Sequence, residues 1–258
     1  MRSCAQDAMA YTHRMQTNRR ELKYIIDEPR ANGIREFIRR RLILDEFANP
    51  KYNNAYMIHS LYLDNDQLAL CNATLEGLKN RFKLRIRFYD HNPDHPIFFE
   101  IKSRINDTIL KERTAVHRSS FSRLIAGHFP QRSDLIKYTV KNQMALERFC
   151  MLRDKLQAKG KAFVSYFREA YVSPHDDSVR VTFDTQLTAS AYNDGLVFTP
   201  LDSWLQPKVN GVVLELKFTD RFPQWMGDLT RAFNLERGAM AKYVHCVQSV
   251  SRQTLVRR

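Results

Sequence analysis

Arg81, Lys83, Arg85 and Arg87 stand at alternate positions of one short stretch, with Phe82, Leu84, Ile86 and Phe88 between them. Successive side chains of a strand point to opposite faces, so this stretch predicts a strand with one cationic and one apolar face. Four cations in file, with no acid among them, repel one another unless an anion lies across them. The pattern recurs along the chain. Glu21/Lys23, Glu100/Lys102/Arg104, Lys111/Arg113, Arg168, Arg180 and Glu215/Lys217 each fall on one face of another alternating run. If antiparallel strands curl into a barrel with these faces inward, the lumen is polar and strongly cationic, and the apolar faces point outward to be covered by amphipathic helices. Such a lumen needs a bound polyanion to be tolerable.

The glutamates narrow the choice of polyanion. A nucleic-acid face gains nothing from acids among its cations, because affinity there comes from Lys and Arg neutralising phosphates. A site that handles a triphosphate with Mg²⁺ or Mn²⁺ needs both, cations for the phosphate oxygens and carboxylates for the hard metal. Glu21/Lys23, Glu100/Lys102 and Glu215/Lys217 offer that mixture on three separate strands. A single Glu-x-Lys pair is usually solvated and worth under ~1 kcal/mol. Three of them beside a four-cation strand favour a site, on condition that the strands share one sheet.

Other chemistries find little support. There is no GxxxxGK[ST] and no GxGxxG, which argues against a P-loop or a dinucleotide fold. His91 and His95 sit four apart in the turn His91–Pro96, but a turn does not hold the geometry that a helix gives such a pair. Trp225, Phe222 and Phe233 read as core rather than as a platform for a base. Cys4, Cys71, Cys150 and Cys246 are widely spaced, which speaks against a zinc site or a disulfide framework and for a reducing compartment. The charge of +13 over 258 residues calls for a polyanionic partner. The first twenty residues lack a signal peptide's apolar centre and no run approaches the ~20 apolar residues of a membrane span, so a soluble, cytoplasmic chain is expected.

The elements that must position these residues can be read in order. Residues 1–18 form a loose arm and 251–258 a basic tail, flanking a single domain over 19–250. Strands are expected over 20–26, 56–64, 81–89, 97–104, 110–116, 163–172, 179–183 and 212–218. Pro29 suits the first turn of a helix buried through Ile34, Phe37, Ile38 and Leu42, with Arg35, Arg39 and Arg40 on its solvated side. Asp64 and Asn65 cap a helix over about 66–78. Asn106-Asp107 makes a hairpin turn. Two helices over 119–158 break near Gly127 and Pro130, the stretch 192–210 with Pro200, Trp204 and Pro207 is irregular, and a helix from about 223 to 233 precedes a final segment over 239–250.

RRELKY at 19–24, SLYLD at 60–64, LRIRFYD at 84–90, FEIKSR at 99–104, LKERTAV at 110–116, VRVTFD at 179–184, VLELKF at 213–218 and AKY at 241–243 follow one another in the order seen in VTC domains. Over residues 19–248 the chain therefore resembles the catalytic domains of vacuolar transporter chaperone polyphosphate polymerases and their bacterial relatives, within the triphosphate tunnel metalloenzymes. The resemblance implies an α+β fold, an antiparallel tunnel barrel with a charged lumen and helices outside, that binds ATP and polyphosphate with Mn²⁺ or Mg²⁺. Carried over by motif, Lys23, Arg85, Arg87, Lys102, Lys111, Arg168, Arg180 and Lys242 contact phosphates and Glu215 holds the metal. Glu100 and Glu21 join it as second metal candidates. Lys83, Arg104, Arg113, Lys217 and Tyr243 form a second rank of substrate contacts, resting on face as much as on family. One departure stands at Ala241, where the family usually has Ser, so one phosphate contact is lost while Lys242 is kept. The implied reaction moves the γ-phosphate of ATP onto a growing chain. A tunnel triphosphatase and a non-catalytic polyphosphate or inositol-phosphate binder are the alternatives, and specific nucleic-acid binding is least favoured. Family context adds a separate membrane partner if product is exported.

Overall fold

The computed structural model describes residues 19–256 except 107, 177, 194, 197–203, 208, 210, 220 and 239. The expected arm at 1–18, Asp107, Pro200, Ala239 and the last two residues of the basic tail lie outside the described residues. The strands are β1 (Arg19–Ile26), β2 (Ile43–Leu44), β3 (Ala55–Asp64), β4 (Asn80–Phe88), β5 (Ile97–Ile105), β6 (Thr108–Val116), β7 (Lys159–Val172), β8 (Val179–Ala191) and β9 (Val212–Thr219). The helices are α1 (Glu28–Arg39), α2 (Ala69–Leu75), α3 (Phe121–Ile125), α4 (Val140–Leu156), α5 (Gln224–Ala232) and α6 (Lys242–Val256).

Every strand pairing is antiparallel. The order β7-β3-β4-β5-β6-β1-β9-β8 returns to β7 through a β7–β8 pairing, and β2 adds to the far end of β7. The sheet is thus curled into a barrel. Its ring is weak at one seam, where β6 and β1 pair only at Ile109 and Arg19. The segment after α5 lies along that seam, with the Gly238 amide donating to the Lys23 carbonyl at 3.0 Å. Gly211 has φ +124°, and a Cβ there would meet the Ile26 carbonyl oxygen at 2.2 Å, so only glycine lets β9 begin tight against the end of β1.

The alternation does what it predicts. Outward residues of β3 to β6, among them Leu61, Leu84, Ile86, Phe99 and Ile101, form one core under Leu146, Phe149 and Cys150 of α4. Outward residues of β8 and β9, among them Val181, Phe183, Leu214 and Leu216, form a second under Ile34 and Ile38 of α1 and Met226 and Leu229 of α5. Each fully buried Phe, Leu or Ile contributes about 1.5–3 kcal/mol. Asp27 caps α1 by accepting from the Arg30 amide at 2.8 Å, with Pro29 in the first turn. Among the described residues, no helix is long and apolar enough to cross a membrane.

Several details depart from the expectations. The cap at Asp64 and Asn65 is real, since Asp64 accepts from the amides of Leu70 and Cys71 and Asn65 from Ala69, but the helix it starts is only Ala69–Leu75. Arg35 is not solvated; it holds Glu169 and Glu28 at 2.8 Å each. Strand β8 runs eight residues past Phe183, through a register shift at Gln186, whose φ is +51°. The strand was expected to end at Phe183, but residues 184–186 form a bulge inside a continuing strand. The third core cluster was not foreseen. Inward residues of β3, β7 and β8 (Ile58, Ala162, Val164, Leu187 and Ala189) are small or apolar, and Met240, Val244 and Val247 of the last segment pack onto them. So α6 fills part of the lumen rather than lying outside it.

A cationic tunnel as the candidate active site

Residues that pair across neighbouring antiparallel strands share a face, so the register lists the wall of the lumen row by row. Across β4, β5 and β6 the rows are Arg81, Arg104 and Ile109; Lys83, Lys102 and Lys111; and Arg85, Glu100 and Arg113. Arg87 stands opposite Phe98. On the other side Lys23 pairs with Glu215 and Glu215 with Thr182, while Glu21 pairs with Lys217 and Lys217 with Arg180. Arg168 lies between Tyr56 and Asp184. These rows enclose a cavity of about 1530 Å³.

The fold brings together residues as far apart in sequence as Lys23 and Lys242. Lys23, Arg85, Arg87, Lys102, Lys111, Arg168, Arg180 and Lys242 all line the cavity, as do Lys83, Arg104, Arg113, Lys217, Tyr243, Glu21 and Glu215. Glu100 is the exception. It is fully buried behind the wall and clamped by Arg85 at 2.6 Å, Lys111 at 3.0 Å and Arg113 at 3.4 Å. Its geometry is that of a counter-ion that holds three cations in place.

Glu215 is the hub of the opposite wall. Oε1 takes Lys23 and Lys242, each at 3.1 Å, and Oε2 takes Lys217 at 2.5 Å and Arg168 at 3.3 Å. Burial alone would raise its carboxyl, but Lys217, Lys23 and Lys242 overcome that and hold it well below the usual range. Glu21 behaves likewise, with Lys102 and Lys23 against its burial. Lys23 bridges the two acids, standing 3.0 Å from Glu21. Among the described residues Lys83 has no such partner. Burial, then Lys102 and Lys23, push it down to about 7. Lys217 also falls to about 7 through burial, against the pull of Glu215.

Three groups of the site were missed. Asp184, 2 % exposed, grips Arg168 through two hydrogen bonds of 2.7 Å and Lys242 at 2.6 Å. It closes the VRVTFD run, but the strand was expected to end one residue earlier. Asp45 holds Arg180, whose guanidinium also donates to the Tyr56 hydroxyl at 3.1 Å. Asp45 lies in an irregular segment with no alternation to flag it. Tyr62 stacks on Tyr243 at 4.6 Å, and the Tyr243 hydroxyl donates to Asp64 at 2.7 Å, which ties the first turn of α6, and so Lys242, to the end of β3. Phe222, expected in the core, is 39 % exposed and lines the cavity, whereas Trp225 and Phe233 do pack against the core.

A divalent cation was expected on these carboxylates. Among the described residues, no three His, Cys, Asp or Glu side chains stand close enough to hold a metal alone. Glu215 and Glu21 nonetheless suit a hard cation that takes one or two protein carboxylates and completes its shell with phosphate oxygens, which is how Mg²⁺ is commonly held. Glu21 Oε1 is buried without a well-formed hydrogen bond, so it has capacity to spare.

The family model described as VTC domain matches residues 18–251. No curated protein is a match. Among solved structures, a Bacillus halodurans protein provisionally assigned as an adenylate cyclase aligns with 87 % of this chain and 95 % of its own, at 13 % identity and a TM-score of 0.48. A Pyrococcus horikoshii protein aligns over 93 % and 99 % at 15 % identity and 0.44. The mimivirus capping-enzyme triphosphatase aligns over 90 % and 96 % at 11 % identity and 0.37. At these identities and scores no substrate carries over to this chain.

Proposed function

We propose that this chain, which belongs to the VTC domain family, is a metal-dependent phosphotransferase that extends polyphosphate from ATP inside its barrel. The contrast between the two walls of one cavity carries the reading. Arg81, Lys83, Arg85, Lys102, Arg104, Lys111 and Arg113 crowd β4–β6 around Glu100, with Lys102 reaching across to Glu21 at 3.0 Å and Lys83 without an acid partner among the described residues, while Glu21 and Glu215 on the far side are held by lysines. The first wall suits a run of linked phosphates and the second a hard cation.

A terminal oxygen of phosphate or polyphosphate attacks the γ-phosphorus of ATP, the bond to the bridging oxygen breaks, and ADP leaves with that electron pair. Phosphoryl transfer asks chiefly for positioning and for charge stabilisation on the phosphoryl oxygens. Arg85, Arg87, Lys102, Lys111, Arg168 and Arg180 supply the cations. Lys23, Lys217 and Lys242 can turn from Glu215 to phosphate oxygens, which leaves Glu215, with Glu21 beside it, to hold Mn²⁺ or Mg²⁺. When bound, the metal would neutralise charge on the phosphate oxygens. Export of product would call on a separate membrane partner, and no specific nucleic-acid binding is expected.

A second reading is hydrolysis of inorganic or nucleoside triphosphate, and one observation favours it. Met240, Val244 and Val247 occupy the inner face of β3, β7 and β8, and a partly filled lumen suits a short substrate better than a chain that must pass through. Phosphorus NMR of the chain with ATP and Mn²⁺ separates the two. Internal-phosphate signals that grow with ADP support the polymerase, and free phosphate alone supports the triphosphatase. In either case Lys102→Ala and Arg85→Ala should lower turnover ~10²-fold or more without unfolding the chain, and full activity in either variant would sink the assignment.

A further inference from the structure

The aromatic residues of the cavity are nearly all committed to neighbours. Tyr62 and Tyr243 stack on each other, Tyr166 lies beneath Lys242 at 4.9 Å and Arg168 at 5.4 Å, and Tyr56 and Tyr89 accept hydrogen bonds from Arg180 and Arg113. Phe222 differs. Among the described aromatic residues lining the cavity it alone is exposed. It is held edge-to-face by Phe218 at 5.1 Å, and its ring passes over Gly227, where even a Cβ would stand 3.6 Å away.

Its place in the barrel gives this exposure a meaning. Phe222 stands three residues beyond Thr219, and the backbone register runs from Thr219 to Arg19, from Arg19 to Ile109, from Ile109 to Arg104 and from Arg104 to Arg81. The end of β9 therefore lies at the same end of the barrel as Arg104 and Arg81, and Arg20 and Arg237 also line the cavity. An aromatic ring accessible to solvent in a cavity lined by guanidinium groups, at the end of a row of cations, is how proteins hold a nucleobase by stacking.

We propose that Phe222 is the stacking platform for the base of a nucleoside triphosphate whose phosphates lie along the cations of β4–β6. This rests on the reading that the cavity takes a triphosphate. It adds that a nucleotide is preferred to inorganic triphosphate, with little selection among bases, because every base has a face to stack.

The test is equilibrium binding in metal-free buffer, where turnover is prevented, with ATP, GTP and inorganic triphosphate as probes. Phe222→Ala should weaken ATP and GTP alike by ~10-fold, within the range of one stacked base, and leave inorganic triphosphate unchanged. Phe222→Trp should bind ATP at least as tightly as the wild type, and it decides the matter even if the alanine variant fails to fold. Unchanged ATP affinity in the alanine variant, an equal loss for inorganic triphosphate, or loss of ATP affinity in the tryptophan variant would each overturn the platform while leaving the triphosphate reading in place. A wild-type chain that binds neither ATP nor inorganic triphosphate would overturn both.

Discussion

The two walls of the lumen are built from the same residue types and yet are in opposite electrostatic states. On β4–β6, eight cations (Arg81, Lys83, Arg85, Arg87, Lys102, Arg104, Lys111 and Arg113) share the inner face with one carboxylate, the buried Glu100, which holds Arg85, Lys111 and Arg113, while Lys102 reaches across to Glu21. On β1, β7, β8 and β9, Glu21, Glu215 and Asp184 meet Lys23, Lys217, Lys242 and Arg168 in a mesh where each acid touches at least two cations. Taking charges from water is costly, and only well-placed partners offset it. The second wall is therefore stable as it stands. The first carries more cations than acids, and under the proposed function that difference would put phosphate binding on one side and the metal on the other.

The sharpest way to break this contrast is to neutralise one acid on each wall. Glu100→Gln removes the only carboxylate that holds Arg85, Lys111 and Arg113 among the described residues and should cost about 3–5 kcal/mol, seen as a lower denaturant midpoint at unchanged slope. Glu215→Gln should act mainly through the metal. Triphosphate binding measured with and without Mn²⁺ should differ in the wild type and coincide in this variant. If Glu100→Gln proved harmless to stability and abolished the metal effect instead, the roles given to the two glutamates would be reversed.

The cationic wall was legible because period two is a local property. Once Arg81 to Phe88 alternates, its faces follow, and the register of β4, β5 and β6 adds only which cation meets which. The mesh was not. Asp184 falls one residue past the expected end of its strand, just before a bulge, Asp45 belongs to a segment without periodicity, and Phe222 sits among aromatics that do enter the core. For Asp184 and Asp45 the decisive partners, Lys242 and Arg180, are remote in sequence. Tertiary packing also put α6 on the inner face, because Ala162, Val164 and Ala189 leave room that larger inward residues would have filled.

That placement gives the next effect in size. Tyr243 holds Asp64 from the start of α6, next to Lys242, and its ring stacks on Tyr62. Tyr243→Phe keeps the stack and removes one hydrogen bond to a carboxylate, so it should cost about 1.5–3 kcal/mol. Because Lys242 reaches Asp184 and Glu215 from the same turn, turnover should fall with it. Stability lost with full turnover retained would mean that the mesh positions Lys242 without help from Asp64.

The smallest effect tests the cationic wall most directly, because it needs no change in packing. Burial, Lys102 and Lys23 push Lys83 down to about 7, so above that pH it stands neutral in the ligand-free chain. An unfolded lysine keeps its proton up to its ordinary value. Between the two the unfolded state binds more protons, and the ligand-free chain should gain stability as pH rises from 7. A bound triphosphate reverses the balance by drawing Lys83 back to its charged form. Binding should then take up a proton near and above pH 7, and affinity should weaken as pH rises, by up to about tenfold per unit if Lys83 acts alone. Calorimetry in two buffers of different ionisation enthalpy measures the uptake. Lys83→Met should abolish it, stabilise the ligand-free chain and weaken triphosphate binding. Proton uptake that persists undiminished in that variant would move the titrating group from Lys83 to Lys217, which also falls to about 7, or to Lys111, which burial likewise pushes well down.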